Sequence, residues 1–151
     1  MKTMKLFFDL TFLFFTSITI FSCSSNNTAG GQVSPNGSVT VKYEIILSSP
    51  LTPISPTSTQ PVQILYNNST AQNEFAYDFN YGTSTWTKTF NLTASRPCFA
   101  SLESDGLYMS TPGTVTANIY VNGVVKATQT NPTQVVSGIY FAIVQLNYFI
   151  Q

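Results

Sequence analysis

Six acids, two cysteines and no histidine bound the chemistry open to this chain. Without an imidazole there is no Ser-His-Asp or Cys-His relay. Zinc would have to rely on carboxylates and one thiol, unlike ordinary zinc sites. Beyond Asp9, the acids are Glu44, Glu74, Asp78, Glu103 and Asp105. A glycosidase needs two carboxyl groups facing each other across about 5–9.5 Å. Glu74 and Asp78 read as neighbours on one strand face, ~13 Å apart, which is too far; a pair drawn from different strands stays open. Glu103-Ser104-Asp105-Gly106 has too few oxygen ligands for calcium and reads as an acidic turn. These residues point away from an enzyme, and no cofactor or metal motif is present. Aromatic side chains are the other candidates for binding. Tyr77, Tyr81 and Trp86 flank Gly82. On an open sheet face such rings stack on sugars or meet a protein partner. Inside a sandwich, Trp86 would instead be a core anchor. Tyr81 fits either reading.

Cys23 stands where an apolar leader meets a polar tract. Lys2 and Lys5 form a basic start, and Leu6–Phe21 is mostly Leu, Phe, Ile and Thr. This is the plan of a secretory signal peptide. Sixteen helical residues reach about 24 Å, short of the ~30 Å hydrocarbon core, which argues against a permanent span. Asp9 is a costly residue in either setting. The border Ile20-Phe21-Ser22-Cys23 resembles the bacterial lipobox: an aliphatic residue, a loose position, a small residue, then cysteine. The resemblance implies that the Cys23 sulfur receives a diacylglycerol, that the leader is cut before it, and that the new amine is acylated. Several chains on one residue would hold the protein to a bilayer, where one chain alone is marginal. Ser24 and Ser25, in place of an acid, lean the expectation toward the outer membrane of a bacterial cell envelope.

The chain therefore divides into a leader (1–22), a tether (23–38) and a domain (39–151). Ser24–Ser38 is rich in Ser, Asn and Gly and holds one aliphatic residue beyond Ala29, Val33, as a flexible spacer does. The domain is long enough to bury roughly two-thirds of its unfolded surface. Only 8% of residues are charged and 14% are aromatic, so the body should fold. Net charge of zero gives no electrostatic reason to bind nucleic acid. Cys98, in an apolar run, reads as a small buried residue unrelated to Cys23.

From Val39 the apolar residues recur every second position. Val39, Val41, Tyr43, Ile45 and Leu47 form one such row, and Val115, Ala117, Ile119 and Val121 another. Val62, Ile64 and Tyr66; Phe75, Tyr77 and Phe79; Trp86, Lys88, Phe90 and Leu92; and Cys98, Ala100 and Leu102 continue the pattern. Asn122-Gly123 is a hairpin signal, Val124–Gln129 returns from it, and Ile139–Ile150 reads as a long last strand. No stretch of helical period follows the leader. The expectation is an all-β, Ig-like antiparallel sandwich of seven or eight strands. Ser48–Pro61 carries four prolines and reads as a loop or edge-shielding segment.

Four short stretches in order, Val41–Ile45, Ile64–Ser69, Thr85–Phe90 and Ala117–Thr130, resemble the small β-sandwich domain of MmpS-type membrane proteins. Tyr43, Tyr66, Trp86, Lys88, Asn122 and Gly123 are the matching positions. The resemblance implies a non-enzymatic, envelope-tethered interaction module accessory to an RND-type exporter. A lipobox would replace that family's transmembrane helix, and the Pro-rich loop would be an insertion. An adhesin or glycan-binding module is the alternative, motivated by the rings near Gly82. The expected partners are a lipid bilayer, through acylated Cys23, and an envelope protein.

Overall fold

A computed structural model describes residues 38–55, 58 and 60–151. The leader, the lipidation site Cys23 and the tether through Gly37 lie outside the described residues. Among the described residues nine strands follow one another: β1 (Val39–Leu47), β2 (Ile64–Asn67), β3 (Asn73–Ala76), β4 (Thr85–Leu92), β5 (Cys98–Met109), β6 (Thr114–Val121), β7 (Val124–Pro132), β8 (Gln134–Val136) and β9 (Ile139–Ile150). All pairings are antiparallel. One sheet has the order β4-β1-β6-β7 and the other β3-β2-β5-β9-β8. The two pack face to face, so the expected all-β antiparallel sandwich is the fold, with nine strands among the described residues rather than seven or eight.

The inner faces explain why. Val41, Tyr43, Ile45, Val115, Ala117 and Ile119 of the four-stranded sheet are almost completely buried, as are Ile64, Tyr66, Leu102 and Leu107 of the five-stranded sheet. Each buried large apolar side chain contributes about 1.5–3 kcal/mol, and strict alternation sends all of them to one side. Cys98 is buried here as well, at the start of β5.

Turns fix the registers. Asn122 and Gly123 adopt φ of 51° and 77°, the two left-handed residues of a type I′ hairpin between β6 and β7. Ser137 and Gly138, at 54° and 79°, repeat the device between β8 and β9. That second hairpin creates β8, the short strand missing from the sequence reading.

Several sequence expectations are corrected. Glu103-Ser104-Asp105-Gly106 is not a turn; it lies inside β5, where the register with β9 shifts between Ser104 and Leu107. The one extra residue is taken up as a bulge, which a sequence of turn-forming residues accommodates. The row Phe75, Tyr77, Phe79 does not share one face. Strand β3 ends at Ala76, which is buried with Phe79, while Phe75 and Tyr77 are exposed. The parity breaks because the chain leaves the sheet after Ala76. The Pro-rich segment has no strand among its described residues, in line with the expected loop, but it is anchored in the core. Leu51 is fully buried and bridges Met109 of β5, and its backbone bonds Thr83 and Gly82 at 2.8 and 2.9 Å.

The sandwich has two distinct ends. At the tether end, β1 begins at Val39, β4 finishes at Leu92 and β9 finishes at Ile150 beside Cys98. The Asn122 hairpin is locked to the same end by Asn122 N–H on the Thr40 carbonyl (2.8 Å) and Thr40 N–H on Asn122 Oδ1 (2.9 Å). Ser48, the Leu51 bridge, Gly113 and the Ser137-Gly138 hairpin stand at the opposite, distal end.

Candidate functional site

The acids were the first candidates for chemistry, and three of them support aromatic residues instead. Tyr43, Tyr66, Trp86 and Phe90 form a cluster between the sheets, with ring centroids 5.7 Å apart for Tyr43–Tyr66, 5.8 Å for Tyr43–Phe90 and 6.1 Å for Tyr66–Trp86. A buried ring with a polar tip needs a partner for that tip. Tyr66 Oη donates to Glu74 Oε1 at 2.6 Å, and Trp86 Nε1 donates to Asp78 Oδ1 at 2.7 Å. Tyr43 Oη donates to the Asn67 carbonyl at 3.0 Å. Glu74 and Asp78 therefore hold two different core rings and do not face each other as a pair. The hydrogen bonds from Tyr66 and Asn68 keep the Glu74 carboxyl below its usual value. Burial and the bond to Glu74 push the Tyr66 phenol up, and burial does the same to Tyr43.

Glu44 occupies the outer face of the four-stranded sheet. Burial alone would raise its carboxyl, but bonds from Tyr120, Lys42 and Asn118 outweigh it and hold the group below its usual value. The distances are 2.5 Å to Tyr120 Oη, 2.9 Å to Lys42 Nζ and 3.1 Å to Asn118 Nδ2. Lys42 Nζ also sits 4.0 Å from the Tyr120 ring centre. All of its partners come from β1 and β6 at paired positions. This is a closed surface network. Among the described residues, no three Cys, Asp or Glu side chains gather as metal ligands would.

The three aromatic candidates separate. Trp86 is 4% exposed and faces the core, because β4 turns Trp86 inward with Phe90 and Leu92. It cannot stack on a ligand at the surface, so of the two readings open to it the core anchor holds. Tyr81 is 37% exposed, at the distal end, and its hydroxyl donates to the Gln60 carbonyl, fastening the Pro-rich segment. Tyr77 is 50% exposed and pairs with Phe75, itself 53% exposed, at a centroid distance of 6.3 Å.

Phe75 is a surface residue that sequence reasoning assigned to the same row as Phe79. Two further ring pairs lie on the outer face of the five-stranded sheet: Phe99 with Phe149 (5.0 Å) and Tyr108 with Phe141 (6.4 Å). Each joins β5 to β9 at directly paired positions. The signal was present in the alternation of β5 and β9, where Phe99 and Phe149 occupy the positions out of phase with Cys98, Ala100 and Ile150.

Fold and site thus define an antiparallel β-sandwich with one aromatic outer face and with Glu44, Glu74 and Asp78 engaged in hydrogen bonds. Set against known proteins, the chain matches no family model and no curated protein.

Proposed function

We propose that this protein is a bacterial lipoprotein of the cell envelope, held at the outer membrane by acylated Cys23, and that its sandwich is a non-enzymatic interaction module. The observation that carries the reading is the placement of exposed rings. The tether joins one end of the sandwich at Val39, while Tyr77 and Tyr81 stand toward or at the other and Phe75 flanks the same edge. A domain fastened at one end and apolar at its far flank is arranged to meet something away from its membrane. Support for a non-enzymatic role comes from the acids: Glu44, Glu74 and Asp78 are committed to Tyr120, Tyr66 and Trp86. The likeness of Val41–Ile45 and Ala117–Thr130 to MmpS-type strands directs the search for a partner to RND-type exporters.

Crosslinking in intact envelopes tests this. The wild-type protein should capture a defined envelope protein, and Phe75→Ser with Tyr77→Ser should lose it. Equal capture by both proteins, or an unmodified Cys23 by mass spectrometry, refutes the reading. A glycan-binding adhesin is the second reading, favoured by the Phe75–Tyr77 pair, whose tilted exposed rings suit a sugar face. It predicts that a glycan array detects binding which the same double variant abolishes.

A further inference from the structure

We infer that the tether end of the sandwich is itself a lipid-contacting surface, seated on the bilayer to which the tether leads. The inference rests on the proposed anchoring through Cys23 and adds a second contact to it. From Cys23 to Ser38 there are 16 residues. A flexible Ser/Gly-rich chain of that length has an r.m.s. reach of about 20–24 Å. Anchoring at Cys23 would hold the start of β1 at a mean distance of that order from the headgroups, and at such short range a weak surface contact is made at high effective concentration.

What this end presents suits a bilayer. Val124 and Val125 follow the Asn122-Gly123 hairpin and are exposed, as are Phe99 and Phe149 on the other sheet. Both sheets thus bring apolar side chains to one end. Val124 pairs with Val121, next to the hairpin, and Phe149 pairs with Phe99, one residue from the ends of β9 and β5. Aromatic and aliphatic side chains at the level of lipid headgroups bury their apolar parts.

Charge runs in the same direction. Arg96 precedes β5 at this end, and Lys126 lies close to the hairpin, at the level of Tyr120; Lys42, at the same level, is paired with Glu44. The acids Glu44, Glu103 and Asp78 come further along the chain direction of their segments, toward or at the distal end. Glu74 stands at the level of Tyr66 and Leu102, beyond the turn. The chain has no net charge, but Arg96 and Lys126 stand toward the end that would face anionic headgroups, while Lys42 is offset by its ion pair with Glu44 at 2.9 Å. The distal end exposes Val135 and Val136 beside the Ser137-Gly138 hairpin, yet among the described residues it carries no Lys or Arg. Apolar and basic groups thus coincide at the tether end and not at the other.

Photo-crosslinking in the membrane reads this directly. The full chain is produced in bacterial cells with p-benzoylphenylalanine replacing Phe149, Val124 or, as an equally exposed apolar control at the distal end, Val136. Positions 149 and 124 should form phospholipid adducts, seen as a mass increase of the corresponding peptide, several-fold more than position 136. Adding Lys126→Glu should reduce the adducts at 124. Absence of adducts at both 149 and 124, or equal adducts at all three positions, overturns the inference. Two probe positions on different sheets guard against one variant failing to fold. Mass spectrometry of Cys23 in the same samples separates the two proposals. Acylated Cys23 without lipid adducts removes the surface contact and leaves the anchor; unmodified Cys23 with adducts removes the anchor and leaves the contact.

Discussion

The two sheets bury their inner faces in the same way and treat their outer faces differently. On the four-stranded sheet the outward residues satisfy one another. Thr40 donates to Asn91 at 3.0 Å, Thr116 and Thr130 share a bond of 3.0 Å, and Glu44 gathers Lys42, Asn118 and Tyr120. On the five-stranded sheet the outward rings pair across or along strands as Phe75–Tyr77, Phe99–Phe149 and Tyr108–Phe141. A hydroxyl and amide face is complete in water, since each polar group has a partner or solvent. A ring-bearing face still has apolar area exposed, which is what binding would remove from water. Equal cores thus carry unequal surfaces, and the partner binding proposed for Phe75 and Tyr77 belongs to the second.

The sharpest way to break that contrast is to damage the shared core. Trp86→Ala should cost about 3–5 kcal/mol in denaturant unfolding, because it opens a cavity and leaves Asp78 without its donor. A loss near zero would mean that the inner faces are not equivalent. Leu51→Ala comes next, at about 2–5 kcal/mol, and would establish that the Pro-rich loop is anchored in the core through this side chain. Tyr66→Phe removes one hydrogen bond and retains the ring, so about 1 kcal/mol is expected.

Acid sharpens the comparison of the outer faces. Glu44 and Glu74 are held below their ordinary carboxyl values in the folded state. Their contribution is fully present above the unfolded value and is lost as pH falls through the folded one. The thermal midpoint should therefore decline as pH is lowered below the usual carboxylate range, and Glu44→Gln should flatten part of that decline. An unchanged pH profile in Glu44→Gln would show that the network on the four-stranded sheet is not a stabilising one. The smallest stability effect is expected from Phe75→Ser with Tyr77→Ser, within about 1 kcal/mol, although binding should disappear.

Much of the fold was legible because period-two alternation decides which residues face inward. The rows from Val39 to Leu47 and from Val115 to Val121 have the burial their spacing demands. Asn122-Gly123 was legible too, since few other residue pairs accept two positive φ values in succession. The errors have a common origin. Phe75 and Tyr77 share the composition of core residues, but β3 turns Ala76 inward and so leaves its two neighbours outside. Glu103 to Gly106 has the composition of a turn, yet partners on β9 draw it into a bulged strand. Leu51 sits among prolines with no periodic neighbours, and its place in the core depends on Met109, far away in sequence.

By itself the sequence determined that the domain is a sheet protein, where most of its strands run, and which side of each is apolar, because those are local properties of alternation and turn chemistry. Tertiary structure alone decided that Glu74 and Asp78 hold different rings, that Trp86 is inside while Tyr77 is outside, and that Val124 and Phe149 meet at one end. Those outcomes depend on which strands become neighbours, and neighbour choice is a property of the assembled sheets rather than of any one segment.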